Sequence, residues 1–228
     1  KYTVDPMTCI YFSLRKCRAC EKFCPTGAIN FDQVETTVDL KVGAVVLAPG
    51  FKPFDPSEHN FFGYNLKDVV TSLEYERMLS ISGPNKGRLM RPSDDTEPRK
   101  IAWLQCVGSR NQNNCGNSYC SNVCCLASVK QSLVSLEASS YPELERKIFY
   151  TDLRSQGKES EKYFQRAKQD NVQFIRALPH TMEPGHDGTG VRMRYVTEQG
   201  ESIHESFDLV ILSIGFTSPE AAGRLSEQ

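Results

Sequence analysis

The sequence lacks two features that would indicate particular partners. It has no basic excess, since 27 Lys and Arg stand against 28 Asp and Glu, which argues against nucleic acid or an anionic membrane surface as the main partner. It has no apolar run near the roughly 20 residues that span a bilayer, the longest runs being AVVLA and LVIL. It opens with no signal peptide. We therefore expect a cytoplasmic protein without a membrane span.

Cysteine is absent from residue 126 to the end, although the chain has 9 cysteines. All of them fall into two groups, at 9–24 and 106–125. Disulfides of secreted proteins usually use an even number of cysteines spaced through loops. The odd number and the grouping favour metal ligation in a reducing compartment, with disulfides as the alternative. Because the chain does not begin with Met and starts just before the first group, we expect it to be a fragment.

Three segments after the first cysteine group predict distinct local structures. The alternating and then apolar stretch 36–51 predicts a hairpin that leads to a buried strand. Residues 66–82 have helical spacing, with Thr71 or Ser72 as the N-cap and Glu74 nearby. The polar segment 83–99 contains three prolines and is typical of a domain junction.

The second half of the sequence alternates between strand and helix patterns. KIAWLQC, RKIFYTDL and VQFIRAL predict strands, and the helical segments 123–138 and 159–170 lie between them. Residues 190–215 predict a hairpin followed by a buried strand. This alternation predicts an α/β fold with a parallel sheet and Rossmann-like βαβ crossovers.

The first cysteine group ends in C-x2-C-x3-C-P, like the end of the bacterial ferredoxin run. Short gaps of this kind let one loop wrap a corner of an iron–sulfur cluster. A structural zinc ion is the alternative, although zinc ligands usually come as two separated C-x2-C pairs. In two-cluster ferredoxins the cysteine before proline binds the neighbouring cluster, which is the role open to Cys24. The predicted metal ligands of this group are Cys9, Cys17, Cys20 and Cys24.

The second cysteine group follows the first strand of the βαβ unit, where a dinucleotide fold normally carries G-x-G-x-x-G. That motif occurs nowhere in the chain, so thiols stand where phosphates would bind. A helix N-terminus favours an anionic thiolate-bound centre as it favours phosphate. We expect Cys120 and Cys124 to share a helix face, Cys106 to come from the strand end, and Cys115 to be a loop residue. The predicted ligands are Cys106, Cys120, Cys124 and Cys125; zinc and a redox-active dithiol are the alternatives.

Several motifs in the same order resemble the A-type subunits of heterodisulfide reductase and their relatives, which include quinone-interacting oxidoreductase subunits. The resemblance runs from about residue 7 to 220 and is most specific in QCVGSR and YCSNVCC. It implies a thioredoxin-reductase-like flavoprotein fold with part of a ferredoxin-like insert at 1–32. The parts of an FAD-binding domain would then be 33–98 and 205–228, and 99–204 would be a pyridine-nucleotide-like βαβ domain.

The resemblance also implies cofactors and partners. It implies [4Fe-4S] clusters at both cysteine groups and two segments that close over FAD, whose residues are Ala48, Pro49, Gly50, Ile214, Gly215 and Phe216. The FAD site would be incomplete in this chain, because the family's FAD fingerprint strand is absent. The implied role is electron transfer, which in some relatives includes bifurcation, in a complex with other subunits and with ferredoxin or another carrier. The alternatives are a zinc-stabilised partner-binding scaffold and a pyridine-nucleotide–disulfide oxidoreductase.

Three polar residues outside the cysteine groups invite functional interpretation. Asp152 follows the second strand, where a dinucleotide fold places its ribose-binding acid, but the missing glycines speak against that role. His180 and His186 lie near Pro and Gly, and we expect both to be exposed rather than ligating.

Overall fold

The computed structural model describes residues 3–226, and these divide into two compact units, the first ending at Leu47 and the second beginning at Ala48. Each unit is built differently. The first has two short helices and a small aromatic cluster, whereas the second has a sheet with a large core.

The first unit has little regular structure. Its helices are α1 (Ile10–Leu14) and α2 (Ala19–Phe23), and its small apolar cluster joins the rings of Tyr11 and Phe31, with centroids 4.4 Å apart. Arg18 lies over both rings. Among the described residues of this unit only Phe31 is buried, so burial of apolar surface contributes little to its stability.

The hairpin and buried strand predicted for 36–51 are wrong. The structure has no strand in this segment, and Val45 and Val46 are 73% and 91% exposed. A strand is stable only when its backbone groups pair with a neighbour, and the strand pairs found in the described residues do not include this apolar run.

The second unit begins with a short strand and then alternates strands and helices. Two 3-10 helices, Pro56–Glu58 and Asn60–Phe62, follow the first strand. The strands in chain order are β1 (Lys52–Pro53), β2 (Val69–Thr71), β3 (Lys100–Val107), β4 (Glu145–Phe149), β5 (Gln173–Ile175), β6 (Thr181–Pro184), β7 (Val191–Val196), β8 (Ser202–Phe207), β9 (Leu209–Ile214) and β10 (Phe216–Thr217). The helices are α3 (Ser72–Leu79), α4 (Gln112–Cys115), α5 (Cys124–Ala138), α6 (Ser160–Gln169) and α7 (Glu220–Ser226).

Five strands form one parallel sheet in the order β2-β9-β3-β4-β5. Helix α5 connects β3 to β4, and α6 connects β4 to β5, which is the βαβ arrangement of a dinucleotide fold. The predicted α/β class is therefore confirmed. The sheet also takes β2 from the segment 33–98 and β9 from the segment 205–228, and the domain division that the resemblance implies stays a prediction.

Two smaller sheets complete the second unit. Strands β6, β7 and β8 form an antiparallel meander, and β1 pairs with β10 in a two-stranded ribbon. The meander buries Val191, Met193 and Tyr195 on one face, which follows from the alternation of apolar and polar residues along β7.

The sheet core is apolar on both faces because helices cover one side and the meander lies on the other. All six residues of β9 are buried, as expected for a central parallel strand. Trp103 of β3 has no exposed surface, and its indole N–H donates to Gln131 of α5 at 3.2 Å. The predicted N-cap is confirmed: Thr71 Oγ1 accepts from the N–H of Glu74, whose carboxylate accepts from the N–H of Thr71.

Candidate metal centre

The end of β3 is strained where the second cysteine group begins. The register with β9 shifts between Leu104 and Val107, and Cys106 adopts a left-handed backbone with φ of 63°. Such a conformation costs about 1–3 kcal/mol in a residue other than glycine. Gly108 follows with φ of 74°, and a Cβ there would overlap the ring of Phe54. The strand therefore ends in a close-packed corner that carries Cys106.

A folded loop brings the chain back toward β3 before α5 begins. Arg110 N–H donates to the carbonyl of Tyr119 at 3.0 Å, and Asn111 N–H donates to that of Asn117 at 2.7 Å. The Asn117 side chain also donates to the carbonyl of Gly108 at 2.9 Å. These bonds place Cys120 close to the strand end from which the loop started.

Helix α5 begins at Cys124, shortly after Asn122 with its left-handed φ of 63°. The expectation that Cys120 and Cys124 share a helix face is wrong, because Cys120 lies in the loop that precedes the helix. Cys124 and Cys125 are each 3% exposed. Both cysteines of the pair are therefore held by the first turn of a helix that packs on the sheet.

The four predicted ligand thiols of this group interact with one another. The charges of Cys120 and Cys125 raise the pKa of Cys106, and the charges of Cys106 and Cys125 raise the pKa of Cys124. A hydrogen bond from Cys124 lowers the pKa of Cys125 to about 6 and raises the pKa of Cys124 itself. Burial raises the pKa of the Cys106 thiol. The structure thus brings the four thiols into one electrostatic neighbourhood at a helix N-terminus.

Donors and positive charges surround these thiols. The positive charge of Arg110 partly offsets the rise that burial causes in the pKa of Cys106, and the backbone N–H of Arg154 donates to the sulfur of Cys125 at 3.5 Å. The carboxylate of Asp152 forms ion pairs with both arginines. Asp152 therefore positions arginines in this structure, a role that sequence reasoning missed.

The segments implied for FAD meet beside this site. Phe216 of β10 pairs with Pro53 of β1, and its ring stacks on that of Phe51 with centroids 3.9 Å apart. The ribbon thereby brings 213–216 next to the chain that follows Gly50. Ala48, Pro49 and Gly50 are exposed, whereas Ile214 is buried in the sheet.

Serine hydroxyls connect the 213–216 corner to the cysteine loop. Ser121 Oγ lies 2.6 Å from Ser109 Oγ and accepts from the N–H of Phe216 at 2.9 Å. A Cβ at Gly215 would overlap both hydroxyls. The close approach of three chain segments here favours glycine at 215, because a Cβ would force both hydroxyls to move.

The first cysteine group is more open. Cys17 and Cys20 are exposed, and Cys9 and Cys24 are half-buried. The Cys24 thiol bonds to the Thr26 hydroxyl at 3.4 Å and accepts from the N–H of Ala28 at 3.3 Å, which lowers its pKa to about 7. Bonds from backbone N–H to sulfur of this kind are a feature of cluster-binding loops.

Neither group is arranged as a finished metal site. Within residues 3–226 no three Cys, His, Asp or Glu side chains are placed so that they could hold a metal ion as they stand. The donor chemistry nevertheless fits in the second group, because four neighbouring thiols at a helix N-terminus suit a thiolate-bound iron–sulfur cluster or zinc. The thiols would have to turn toward one point when such a centre binds.

Other predicted features are distributed around the site. Cys115 ends α4 and packs against the apolar cluster below the sheet. His180 and His186 are not buried: His180 is exposed and His186 is at the tip of the turn between β6 and β7. A cavity of about 640 Å³ opens beside Cys106 and is lined by Phe61, Phe62 and His180, among others.

No helix in the described residues is both long and apolar enough to cross a bilayer.

Several known proteins are similar to this chain. An A-type iron-sulfur subunit of the CoB–CoM heterodisulfide reductase of Methanopyrus kandleri is 39% identical over 203 residues, which is 88% of this chain and 30% of that protein. The corresponding subunit of the H2:CoB-CoM heterodisulfide,ferredoxin reductase of Methanothermobacter thermautotrophicus is 33% identical over 99% of this chain and 33% of its own length. These relatives confirm the resemblance that the motifs indicate. The chain spans about a third of the length of the curated relatives it matches.

Among solved structures, the thioredoxin reductase of Lactococcus lactis aligns with 73% of this chain and 43% of its own, with 15% identity and a TM-score of 0.41. No protein-family model matches the chain.

Proposed function

We propose that this chain, a relative of part of the A-type subunits of heterodisulfide reductase, relays electrons as a segment of an oxidoreductase. The observation that carries the proposal is the convergence of Cys106, Cys120, Cys124 and Cys125 at the end of a parallel strand and the start of a helix. Thiolates in this position would bind an anionic centre where a dinucleotide fold binds phosphate.

The second cysteine group would hold a [4Fe-4S] cluster, which accepts and releases one electron at a time. In this chain Cys106 is positioned by the strained end of β3, and the pair at 124–125 is positioned by α5. Burial of the pair excludes water, and the N–H of Arg154 offers a hydrogen bond to sulfur. No side chain is needed as an acid, base or nucleophile.

The first cysteine group would hold part of a ferredoxin-like pair of clusters. Cys9, Cys17 and Cys20 would bind one cluster, and Cys24 would bind its neighbour. The N–H groups that the sulfur of Cys24 accepts from support this assignment. The cluster that uses Cys24 then needs ligands from outside this chain.

FAD would bind near the ribbon formed by β1 and β10. The residues in question are Ala48, Pro49, Gly50, Ile214, Gly215 and Phe216. The hydrogen bonds that join Phe216 to Ser121 support the proposal, since they place this corner next to the cysteine loop. The partners would be other subunits of a heterodisulfide reductase-like complex, with ferredoxin or a similar carrier, and bifurcation belongs to that whole complex.

The test is a measurement of iron, acid-labile sulfide and zinc on anaerobically purified protein. We expect iron and sulfide in equal amounts and a reduced [4Fe-4S] EPR signal after dithionite. Cys124→Ser should remove the iron of the second group, whereas Cys115→Ser should retain it. One zinc per chain without iron, and no spectral change with dithionite, would refute the proposal in favour of a zinc-stabilised scaffold.

One observation favours a second candidate, a thiol–disulfide oxidoreductase. Cys124 and Cys125 are adjacent and both buried, the Cys124 thiol lowers the pKa of Cys125 to about 6, and an activated thiol beside a second thiol is typical of redox-active dithiols. This candidate predicts a metal-free protein in which the pair cycles between two thiols and one disulfide. Thiol titration before and after oxidation of the metal-free protein separates the two functions.

A further inference from the structure

Two arginines and one carboxylate form a connected group beside the second cysteine group. Asp152, after β4, pairs with Arg110 from the end of β3 and with Arg154, whose Nε lies 3.1 Å from the carboxylate. We call these three residues the arginine clamp. It joins the ends of two neighbouring parallel strands at the edge of the sheet where the thiols lie.

The clamp contacts the thiols directly. Arg110 and Cys106 line the same cavity, and the positive charge of Arg110 acts on both Cys106 and Cys125. Arg154 acts on Cys125 both through its charge and through its backbone N–H. With two positive charges and one negative charge, the clamp presents a net positive charge to these thiols.

The clamp side chains are partly buried, so water only partly screens the effect of their charges on the thiols. The Arg110 side chain is 23% exposed, whereas those of Asp152 and Arg154 are 44% and 43% exposed. Charge interactions weaken as water surrounds the groups. Arg110 should therefore act more strongly on the thiols than Arg154 does.

We propose that Arg110 and Arg154, held in place by Asp152, are positioning residues that raise the reduction potential of the centre bound by the second cysteine group. The inference rests on the proposed function. A cluster held by four thiolates becomes more negative when it takes up one electron, so a neighbouring positive charge favours the reduced state. Hydrogen bonds to ligand sulfur act in the same direction.

The experiment compares variants in a background with a single centre. Cys9→Ser, Cys17→Ser, Cys20→Ser and Cys24→Ser together remove the ligands of the first group, so that the remaining signal belongs to the second. Midpoint potentials are measured by EPR-monitored titration with dithionite as the electron donor. The variants are Arg110→Gln, Arg110→Lys and Arg154→Gln. The control is Arg192→Gln, which removes an arginine of β7 that is paired with Glu183.

We expect Arg110→Gln to shift the midpoint potential to a more negative value, Arg154→Gln to do so by less, and Arg110→Lys to restore most of the loss. Arg192→Gln should leave the potential unchanged. If Arg110→Gln loses its iron, Arg154→Gln decides the question, because its backbone N–H and the ligands remain.

The outcomes separate the inference from the proposed function. Unchanged potentials in iron-loaded Arg110→Gln and Arg154→Gln would overturn the role of the clamp while leaving the proposed function intact. Absence of iron from the four-serine background itself would instead contradict a cluster in the second group. A loss in Arg110→Lys as large as in Arg110→Gln would also overturn the inference, because it would show that packing and not charge is responsible.

Discussion

The two cysteine groups differ in what holds them in place. The first lies in a unit with two helices of five residues each and one buried side chain among its described residues. The second lies between a strand buried on both faces and a helix of 15 residues. A protein core can preposition the cysteines of the second group, whereas the described part of the first unit has no such core to hold its four cysteines in place.

The difference indicates which interactions supply the folding free energy of each unit. Small units without an apolar core are commonly organised by metal binding, so that binding free energy is folding free energy. In the second unit, the sheet and helices bury large residues such as Trp103 and Phe149. Stability there comes from the core, and strain at Cys106 is tolerated because the surrounding packing holds it.

Metal removal should produce the largest difference in stability between the two units. After exhaustive chelation, we expect protease cleavage within the first unit to accelerate at least about tenfold, because metal binding supplies most of its folding free energy. Cleavage in the second unit should change little. Mass spectrometry of the fragments measures both. Cys17→Ser should accelerate cleavage in the first unit alone, as chelation does. Equal acceleration of cleavage in the two units would contradict different sources of folding free energy.

The next largest effect is expected at Gly108. Gly108→Ala adds a Cβ that overlaps the ring of Phe54 at a backbone φ of 74°, and we expect it to lower the free energy of unfolding by about 2–4 kcal/mol. Gly116→Ala is the matched control, with φ of 71° and open space around the added atom, and should cost about 1 kcal/mol. Urea unfolding followed by the fluorescence of Trp103 measures both. Equal losses would show that the corner is not closely packed.

Much of the second unit can be predicted because its signals are local. Alternating strand and helix periods identify β3, α5, β4 and α6, and a capping box identifies the start of α3. The three-residue strand β2 lies within a segment with helical spacing, so its pattern is too short to read. The pattern at 45–47 led to a wrong prediction, because an apolar run forms a strand only where a neighbouring strand pairs with it.

The sequence identifies the cysteines of the proposed site but not the residues that surround them. Spacing identifies the cysteines, since all four lie in the short segment 106–125. The arginine clamp joins residues 110 and 152, which are distant in the sequence, and no local pattern reveals such a pair. The same holds for Gln105, which is buried with neither side-chain amide atom hydrogen-bonded in the described part of the chain.

A half-buried group of ion pairs around Glu205 should contribute to the stability of the second unit. Burial alone would raise the pKa of Glu205, but bonds from Lys100, Lys147 and Tyr195 lower it below its usual value. At pH 7 we expect Glu205→Gln to cost about 1–3 kcal/mol. A carboxyl with a lowered folded pKa stabilises above its unfolded pKa, near 4.3 for Glu, and loses that contribution as the pH falls.

Chemical unfolding at several pH values measures this effect. The difference between Glu205→Gln and the unmodified chain should therefore shrink below about pH 4. Glu183→Gln serves as the control, because Glu183 pairs with Arg192 at the surface and should contribute less than about 1 kcal/mol. A difference that persists unchanged at low pH would contradict the assignment to the charge of Glu205.

The smallest effect is expected at Cys115. Its side chain is half-buried against the apolar cluster below the sheet, so Cys115→Ala should cost about 0.5–1 kcal/mol and leave the iron content unchanged. Iron analysis together with urea unfolding measures the two quantities. Loss of iron in this variant would place Cys115 among the ligands and weaken the distinction between the five cysteines of the second group.

The contact between Ser109, Ser121 and Gly215 restricts how this region can vary in evolution. Any side chain at 215 overlaps two hydroxyls, and one of those hydroxyls also accepts the N–H of Phe216. A larger residue at 215 would therefore force both hydroxyls to rotate away, which would break their bond to each other and leave the N–H of Phe216 without its acceptor. We expect homologous chains that replace Gly215 to differ at 109 and 121 as well.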